Sequence, residues 1–218
     1  MLQRLVRLLY PPKCVHCGKL LVGDETDLCR DCRENAPEFD RAKIKFSVVA
    51  DWTAVWYYKD NVREGLLRFK FGRRPSYSLA YGRFLAMKLR RSRKDDFDVL
   101  TWVTTSRRRR RKRGYDQAKL LAVAVAEELG VDAVQTLKKI RHTPPQSSFP
   151  TVAQRRANVL GAYKAIHPER FVGKRVLVID DIITTGATAS ECARVLLTAG
   201  AKEVRFAAVA AASDNSKK

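Results

Sequence analysis

Apolar segments of two kinds alternate along the second half of the chain, and they predict strands and helices in turn. Residues 176–179 form an unbroken apolar run, which is typical of a strand covered on both faces within a parallel sheet. Residues 189–197 place apolar side chains at helical spacing, and residues 203–211 favour a second strand. Because a strand, a helix and a strand in this order form a parallel βαβ unit, the turn at residues 184–188 is expected at the carboxyl end of the sheet.

Further elements are predicted upstream by the same periodicities. Residues 48–58 favour one strand or a hairpin, and residues 99–103 favour another strand. Helical spacing of apolar positions occurs at residues 1–10, at 62–69 after Asn61 as N-cap, at 78–91 and at 119–128. These elements predict an α/β fold in which a central, mainly parallel sheet is flanked by helices.

The length of the chain, 218 residues, allows one α/β domain with a substantial core and a small appendage. We expect an N-terminal helix and a metal-binding module at residues 1–36, a polar linker at 37–45, the main domain at 46–212 and a disordered tail at 213–218. The helix at residues 1–10 is expected to pack on the rest of the molecule, with weak attachment to a membrane surface as the alternative. No run approaches ~20 apolar residues and no export signal is recognised, so we expect no transmembrane segment and a cytoplasmic location.

Cysteine spacing predicts a structural metal site. Four of the five cysteines form two Cys-x-x-Cys pairs: Cys14, Cys17, Cys29 and Cys32. Each pair brings two sulfurs to one side of a turn, and a tetrahedral zinc ion requires two such pairs. A set of four thiolates leaves no open position for catalysis, so the expected zinc is structural; disulfides are the alternative, which an intracellular setting disfavours. His16 is expected to be a spacer and Cys192 a core residue.

Positive charge dominates the composition and indicates an anionic partner. Lys and Arg total 43 against 23 Asp and Glu, a formal net charge of +20, which predicts attraction to polyanions. Seven consecutive cations occupy residues 107–113. A run of like charges repels itself and stays mobile unless an anion orders it. We interpret it as a contact for polyphosphate or a nucleic-acid backbone, with a mobile, solvated loop as the alternative; the contact candidates are Arg107, Arg108, Arg111 and Arg113.

The turn after residues 176–179 combines groups that bind a phosphorylated sugar. Asp180 and Asp181 come first, and threonine hydroxyls, a glycine and a helix start follow. Gly186 permits close approach of the backbone, and the helix start offers free N–H groups with a partial positive charge. The lysine of the Walker phosphate loop is missing. A phosphate bound here is expected to belong to a group with vicinal hydroxyls or a divalent cation, as in a ribose 5-phosphate.

Residues 176–188 resemble the phosphoribosyl pyrophosphate (PRPP) signature of type I phosphoribosyltransferases. The resemblance implies that the paired acids contact the ribose hydroxyls, that the turn holds the 5-phosphate and that Mg²⁺ accompanies the pyrophosphate. The implied PRPP-binding residues are Asp180, Asp181, Thr184, Thr185, Gly186, Ala187 and Thr188. Purine-salvage members often carry an aspartate at the position of Thr184, and a threonine cannot act as a general base near pH 7, which disfavours purine salvage. In the same resemblance Lys70 stands where a pyrophosphate contact belongs, with a solvated charged turn as the alternative.

The order of several motifs resembles one family over nearly the whole chain, the ComF/GntX family. Its motifs are the four-cysteine module, the Lys-Phe-Gly turn at 70–72, the segments at 112–117, 141–146 and 155–158, and the PRPP signature. The family usually shows Val-Pro-Val-Pro where this chain has residues 102–105, and more often Gly-Phe-Asn-Gln where this chain has residues 114–117. The resemblance implies a type I phosphoribosyltransferase (Rossmann-like) fold with an N-terminal zinc module.

Three functional hypotheses follow from this resemblance and from the charge. Members of the family are associated with natural transformation, so the first is a PRPP-site protein that binds single-stranded DNA and acts in DNA uptake. The second is an active PRPP-dependent phosphoribosyltransferase of nucleotide metabolism with an unknown acceptor. The third is an adaptor whose zinc module recruits other DNA-uptake proteins. Aromatic residues at 52–58 are expected either to stack on bases or to pack in the core.

Overall fold

The computed structural model describes residues 11–40, 46 and 48–212. The predicted N-terminal helix at residues 1–10 and the predicted tail at residues 213–218 lie outside the described residues, as do residues 41–45 of the predicted linker. Within the part of the chain that is described, every helix is too short or too polar to traverse a lipid bilayer.

Parallel strands form the centre of the molecule. The strands are β1 (Asp51–Tyr57), β2 (Val99–Trp102), β3 (Leu137–Lys139), β4 (Tyr163–Ala165), β5 (Arg175–Ile183) and β6 (Glu203–Ala211). Four of them form one parallel sheet in the order β1-β6-β5-β2, and β3 pairs with β4 in a separate antiparallel sheet. Strand β5 lies between β6 and β2, and its two faces are both covered by core residues, which explains its continuous apolar composition.

Helices cover both faces of this sheet. They are α1 (Arg30–Asn35), α2 (Asp60–Phe71), α3 (Tyr77–Arg91), α4 (Arg107–Arg113), α5 (Gln117–Leu129), α6 (Val152–Val159) and α7 (Ala187–Thr198), with short 3₁₀ turns at Gln146–Ser148 and Pro168–Arg170. Alternate residues of β5 pack on opposite sides: Leu177 belongs to the core formed with α2, α3 and α5, whereas Val178 belongs to the core formed with α7. This alternation is the period of a strand and confirms the predicted two-faced sheet.

The cysteine module packs directly on the main domain. Its buried residues share one apolar core with α2 and α3. Tyr81 on α3 donates a hydrogen bond from its hydroxyl to the carbonyl oxygen of Val15 (3.2 Å), and Arg83 forms an ion pair with Asp27 (2.5 Å). The module therefore has no separate core, and its position is set by contacts with these two helices.

The structure differs from the predicted elements at several points. Strand β5 continues through Asp180 and Asp181 instead of ending at them, because Asp180 and the residues after it stay paired with β6. The N-cap of α2 is Lys59, and Asn61 instead donates from Nδ2 to the Cys32 sulfur at 3.6 Å. Residues 48–58 contain one strand, β1, whose Trp52 and Trp56 side chains are buried in the core.

Candidate functional site

Two adjacent carboxylates lie near the carboxyl end of β5, where the ends of the four parallel strands meet. Because neighbouring strand residues point to opposite faces, the two side chains contact different parts of the molecule. Asp181 has its Oδ1 atom 3.0 Å from the Nζ atom of Lys70. Asp180 lies on the other face, within electrostatic range of Cys192 on α7 and of Lys139 on β3. The acid pair therefore spans both faces of the sheet at its edge.

Burial and the adjacent carboxylate change the acidity of Asp180. Removal of the carboxyl group from water, reinforced by the charge of Asp181, raises the pKa of Asp180 to about 8. The cation of Lys70 acts in the opposite direction and limits this rise. At neutral pH and without a ligand, Asp180 thus holds a proton, and it can donate a hydrogen bond as well as accept one.

The turn after β5 forms one side of an open cleft. Gly186 has a φ of 74°, and a Cβ atom at this position would clash with the ring of Phe46. Glycine is therefore required both by the backbone conformation and by the contact. Helix α7 begins at Ala187, so its first N–H groups point out of the helix end without intrahelical partners. The cleft is lined by Gln146, Asp180, Ile182, Ile183, Thr184, Thr185, Gly186, Ala187, Thr188 and Ala189.

Gln146 completes this cleft from a distant part of the sequence. Its amide nitrogen, Nε2, lies 3.4 Å from the Thr188 hydroxyl oxygen, and its Oε1 accepts a hydrogen bond from Asn158 on α6 at 3.4 Å. The same Asn158 amide donates to the carbonyl oxygen of Pro144 at 3.2 Å. The two motifs at residues 141–146 and 155–158 thus meet at the turn. We did not predict Gln146 as a site residue, although its place in a spaced motif was a signal.

The last turn of α2 supplies Lys70 and is fixed to the start of α5. The Tyr115 hydroxyl donates to the carbonyl oxygen of Phe69, and the Gln117 amide lies 3.4 Å from the carbonyl oxygen of Lys70. Lys70 was predicted in a glycine turn, but it lies on the helix itself, directed at Asp181. The structure therefore brings Lys70 to the acid pair, where a solvated turn was the alternative.

The run of cations forms helix α4. The Ser106 hydroxyl accepts a hydrogen bond from the Arg109 N–H at 3.4 Å, and Gly114 ends the helix in the left-handed conformation with a φ of 87°. A capped start, a glycine stop and cations in the last turn favour a helix despite the repulsion between like charges. The segment is therefore a helix and not the loop of the alternative, and its role as an anion contact stays a prediction.

The charged groups of α4 are arranged in two sets. Arg107, Arg108, Arg110, Arg111 and Lys112 are exposed, and among the described residues no ion pair joins any of them to a carboxylate. Arg109 is half-buried and donates to the carbonyl oxygen of Thr143 at 2.8 Å. Arg113 lies 5.0 Å from the centroid of the Phe71 ring and donates to Gln117 at 2.9 Å. Two arginines of α4 therefore attach the helix to neighbouring segments, and its other cations are exposed to solvent.

A polar contact holds the loop that precedes α4. Thr105 donates its backbone N–H to the Oδ2 atom of Asp116 at 3.0 Å, a bond that a proline at this position could not form. Burial raises the pKa of Asp116, although this backbone bond acts to lower it. The two departures from the family pattern, a threonine for a proline and an aspartate for an asparagine, therefore form one contact.

Lys139 is a second partly buried lysine near the acid pair. Its ammonium donates to the Tyr163 hydroxyl at 3.3 Å and lies 4.9 Å from the centroid of the same ring. Burial, with the nearby charge of Arg109, lowers the pKa of Lys139 to about 8. We predicted no role for Lys139, because a lysine in a strand of three residues gives no periodic signal.

The four cysteines of the N-terminal module meet at one point. The sulfurs of Cys14, Cys17, Cys29 and Cys32 all lie within 4.8 Å of one another. A tetrahedral zinc ion with Zn–S bonds of about 2.3 Å requires sulfurs roughly 3.8 Å apart, so the arrangement fits structural zinc. His16 packs its ring at 4.6 Å from Trp56, in agreement with a spacer, and Cys192 is buried in the core as predicted.

Sequence comparisons place two known domains on this chain. A model of the phosphoribosyl transferase domain matches residues 116–218, and a model of the double zinc ribbon domain matches residues 5–43. With five cysteines in the sequence, one of them Cys192, the matched segment has the thiols for one four-cysteine site. The first match agrees with the parallel sheet and its flanking helices, and the second agrees with the cysteine cluster.

Similar proteins are found among curated sequences and solved structures. Competence protein F of Haemophilus influenzae is 26% identical over 89% of this chain and 82% of its own length. DNA utilization protein YhgH of Salmonella typhimurium is 31% identical over 88% of this chain and 81% of its own length. A solved structure described as the allosteric regulatory enzyme of purine biosynthesis is 25% identical, with a TM-score of 0.44 over 64% of this chain and 29% of that chain. This chain thus spans less than a third of the length of that enzyme.

Proposed function

The chain belongs to the ComF/GntX family of competence and DNA utilization proteins, and from this premise we propose that it is a cytoplasmic PRPP-site protein that binds single-stranded DNA during DNA uptake. The observation that carries the proposal is that Asp180, the first residue of the acid pair, and the turn at residues 184–188 line one open cleft. The exposed cations of α4 support the second part, since they offer several charges to one long anion.

In the cleft, each group has a role that its chemistry supports. The carboxyl groups of Asp180 and Asp181 bind the vicinal hydroxyls of the ribose, and the hydroxyls and N–H groups of the turn hold the 5-phosphate. Lys70 is close enough to Asp181 to contact the pyrophosphate as well. Mg²⁺, bound with PRPP, supplies further positive charge for the pyrophosphate oxygens.

Calorimetric titration with PRPP and Mg²⁺ tests the cleft, because it detects binding without any assumption about an acceptor. We expect saturable binding of PRPP by the wild-type chain, and no heat of binding with ribose analogues that lack the phosphate. An absence of PRPP binding at millimolar ligand would refute the proposed site. The same titration in the presence of oligothymidylate distinguishes a shared groove, which gives competition, from separate sites.

Binding to single-stranded DNA is tested by its salt dependence. If about five phosphates are neutralised, the slope of log K against log salt concentration is expected to be roughly −3.5. Anisotropy of a labelled oligothymidylate, measured at several salt concentrations, provides the slope. A flat response would contradict the part of the proposal that assigns DNA binding to exposed cations.

An active phosphoribosyltransferase is the second candidate, favoured by the cleft being open beside an intact acid pair. In that reaction the bond between C1 of the ribose and the pyrophosphate breaks, the acceptor forms a new bond to C1, and the acceptor loses a proton. Release of pyrophosphate upon addition of candidate acceptors would support it. With no turnover in the presence of any acceptor, PRPP binding would serve a structural or sensing role.

The division into a module at residues 1–36, a main domain at 46–212 and a tail at 213–218 stays a prediction. So does the role of the module as an adaptor for other DNA-uptake proteins. Exposed Leu20 and Val22 on the module are apolar side chains that such a partner could cover. Pull-downs with Leu20→Ser and Val22→Ser, in the zinc-loaded full chain, would separate this role from a purely structural one.

A further inference from the structure

One aromatic side chain lies among the exposed cations. Phe71, the last residue of α2, has 64% of its surface exposed. Among residues 11–40, 46 and 48–212 it is the one phenylalanine, tyrosine or tryptophan that is exposed to this degree; the others are buried or partly buried. The ring of Phe71 is therefore accessible to a ligand.

Cationic residues neighbour Phe71 both in space and in sequence. The guanidinium of Arg113 lies 5.0 Å from the centroid of the ring, a cation–π contact that fixes one edge of the site. Arg73 and Arg74 follow immediately and are exposed. The five exposed cations of α4 continue the positive surface beyond Arg113. An apolar ligand with no charge would gain nothing from these groups, whereas a polyanion with flat apolar rings matches both features.

The ring is held in place by its neighbours. The carbonyl oxygens of the two preceding residues, Phe69 and Lys70, are contacted by Tyr115 and Gln117. Gln117 also accepts the hydrogen bond of Arg113. The last turn of α2 and the segment between α4 and α5 are therefore joined by three side chains, and the Phe71 ring and the Arg113 guanidinium keep a fixed relation to each other. A stacking platform requires this preorganisation.

We propose that Phe71 and Arg113 form a platform on which one base of single-stranded DNA stacks, while the exposed cations of α4 and of residues 73–74 contact the adjacent phosphates. This inference rests on the proposed DNA-binding function and adds to it the group that distinguishes a single strand from a duplex. Bases within a duplex are stacked on one another and cannot cover the ring. Stacking on an aromatic side chain accepts every base, so the platform is expected to be insensitive to sequence.

An oligothymidylate and an abasic oligonucleotide of equal length, which carry the same phosphates, test the platform. For the wild type, removal of the bases is expected to weaken binding roughly 5- to 150-fold, the range for one stacked base. For Phe71→Ala, the two ligands are expected to bind about equally, at the level of the abasic strand. The salt slope should be the same for both proteins, because the number of phosphate contacts is unchanged.

Val131→Ala is the matched control, because Val131 is an apolar side chain that is 43% exposed. It follows the far end of α5, a helix of 13 residues that starts beside the site and is thus about 20 Å long. This control should discriminate between the two strands as the wild type does. Phe71→Trp should retain the discrimination, and its added indole fluorescence should be quenched by the oligothymidylate and not by the abasic strand.

The outcomes separate the platform from the function on which it rests. If the wild type binds neither strand, the proposed DNA-binding function fails. If the wild type binds both strands with one affinity, or if Phe71→Ala still prefers the strand with bases, DNA binding stands and the platform is refuted. If Phe71→Ala loses affinity for a DNA duplex and for the abasic strand to the same extent, Phe71 supports binding through the fold of the protein and not through contact with a base. The platform is then likewise refuted.

Discussion

The acid cleft, lined by Asp180 and the turn at residues 184–188, and the basic helix α4 lie at the same end of the sheet and differ in how their charges are held. Next to the cleft, Lys70 is paired with Asp181 and both side chains are largely buried. On α4, five cations are exposed. Buried, fixed groups discriminate by geometry and respond weakly to salt, whereas exposed charges attract any polyanion and are screened. The same end of the sheet therefore offers two kinds of recognition, one by the geometry of fixed groups and one by the attraction of exposed charges.

Removal of zinc should have the largest effect on stability and on PRPP binding, because the zinc module and the helix that carries Lys70 share one core. Cys14 and Cys32 are buried in the same core as α2, the helix that carries Lys70. Zinc in small modules contributes on the order of 10 kcal/mol to folding. After chelation we expect a fall in melting temperature and loss of PRPP binding, while salt-sensitive attraction to polyanions persists. Calorimetry and anisotropy on the same sample measure both.

Cys192→Ala provides the control for zinc removal, since it deletes a thiol outside the cluster. It should retain one zinc ion per chain and the affinity for PRPP. Unchanged PRPP affinity after complete zinc removal would show that the module does not support the cleft.

Replacement of both acids should separate the two regions most cleanly. Asp180→Ala with Asp181→Ala removes two hydrogen-bonding carboxyl groups; a hydrogen bond contributes about 0.5–1.5 kcal/mol when both groups are neutral and about 1.5–3 kcal/mol when one is charged. We expect the affinity for PRPP to fall at least about 100-fold by calorimetry. Binding of oligothymidylate should remain within about twofold, and a large loss there would mean that the two ligands share the cleft.

Replacement of exposed arginines should give the reverse result, with a smaller effect. If each of Arg107, Arg108 and Arg111 neutralises one phosphate, their joint change to alanine should reduce the magnitude of the salt slope by about 2. Affinity for PRPP should be unaltered, since these side chains point to solvent. The triple variant Arg90→Ala, Arg91→Ala and Arg93→Ala changes exposed arginines at the end of α3 and after it, and should leave the slope nearly unchanged.

The smallest effect concerns the acidity of Asp180. Its pKa is raised from 3.8 to about 8 in the folded chain, so between these values the folded state binds more protons than the unfolded state. Stability is therefore expected to decline as pH rises through this window and to level off above about pH 8. Asp180→Asn should be more stable than the wild type by ~1–3 kcal/mol at pH 8.5 and about equal near pH 4, as measured by urea unfolding. Equal stability at both pH values would contradict the raised pKa.

Local sequence was sufficient to predict the βαβ unit and the groups of the turn. Residues 203–211 were predicted as a strand and form β6 over the same range, and α7 begins at the predicted turn. These features depend on short-range periodicity and on residue types that a phosphate requires. The spacing of the four cysteines was equally informative, because metal ligands must converge.

The rest of the site depends on contacts between distant segments. Lys70 meets Asp181, and Gln146 meets Thr188, only after the sheet has formed. No periodicity in the sequence encodes such pairs. The helical state of α4 has another cause: its caps, Ser106 and Gly114, stabilise the helix against the repulsion along the run. Phe71 was missed because an exposed ring and a core ring have the same sequence signal.

Lys70 and Phe71 are consecutive residues on one helical turn, yet one is directed at Asp181 and the other lies beside Arg113. Neighbours on a helix diverge by about 100°, so they can serve different sites while moving as one body. If a sugar phosphate that draws the lysine away from its carboxylate also shifts this helical turn, the phenyl ring moves with it. Thermodynamic reciprocity then requires that each ligand alter the affinity for the other by the same factor.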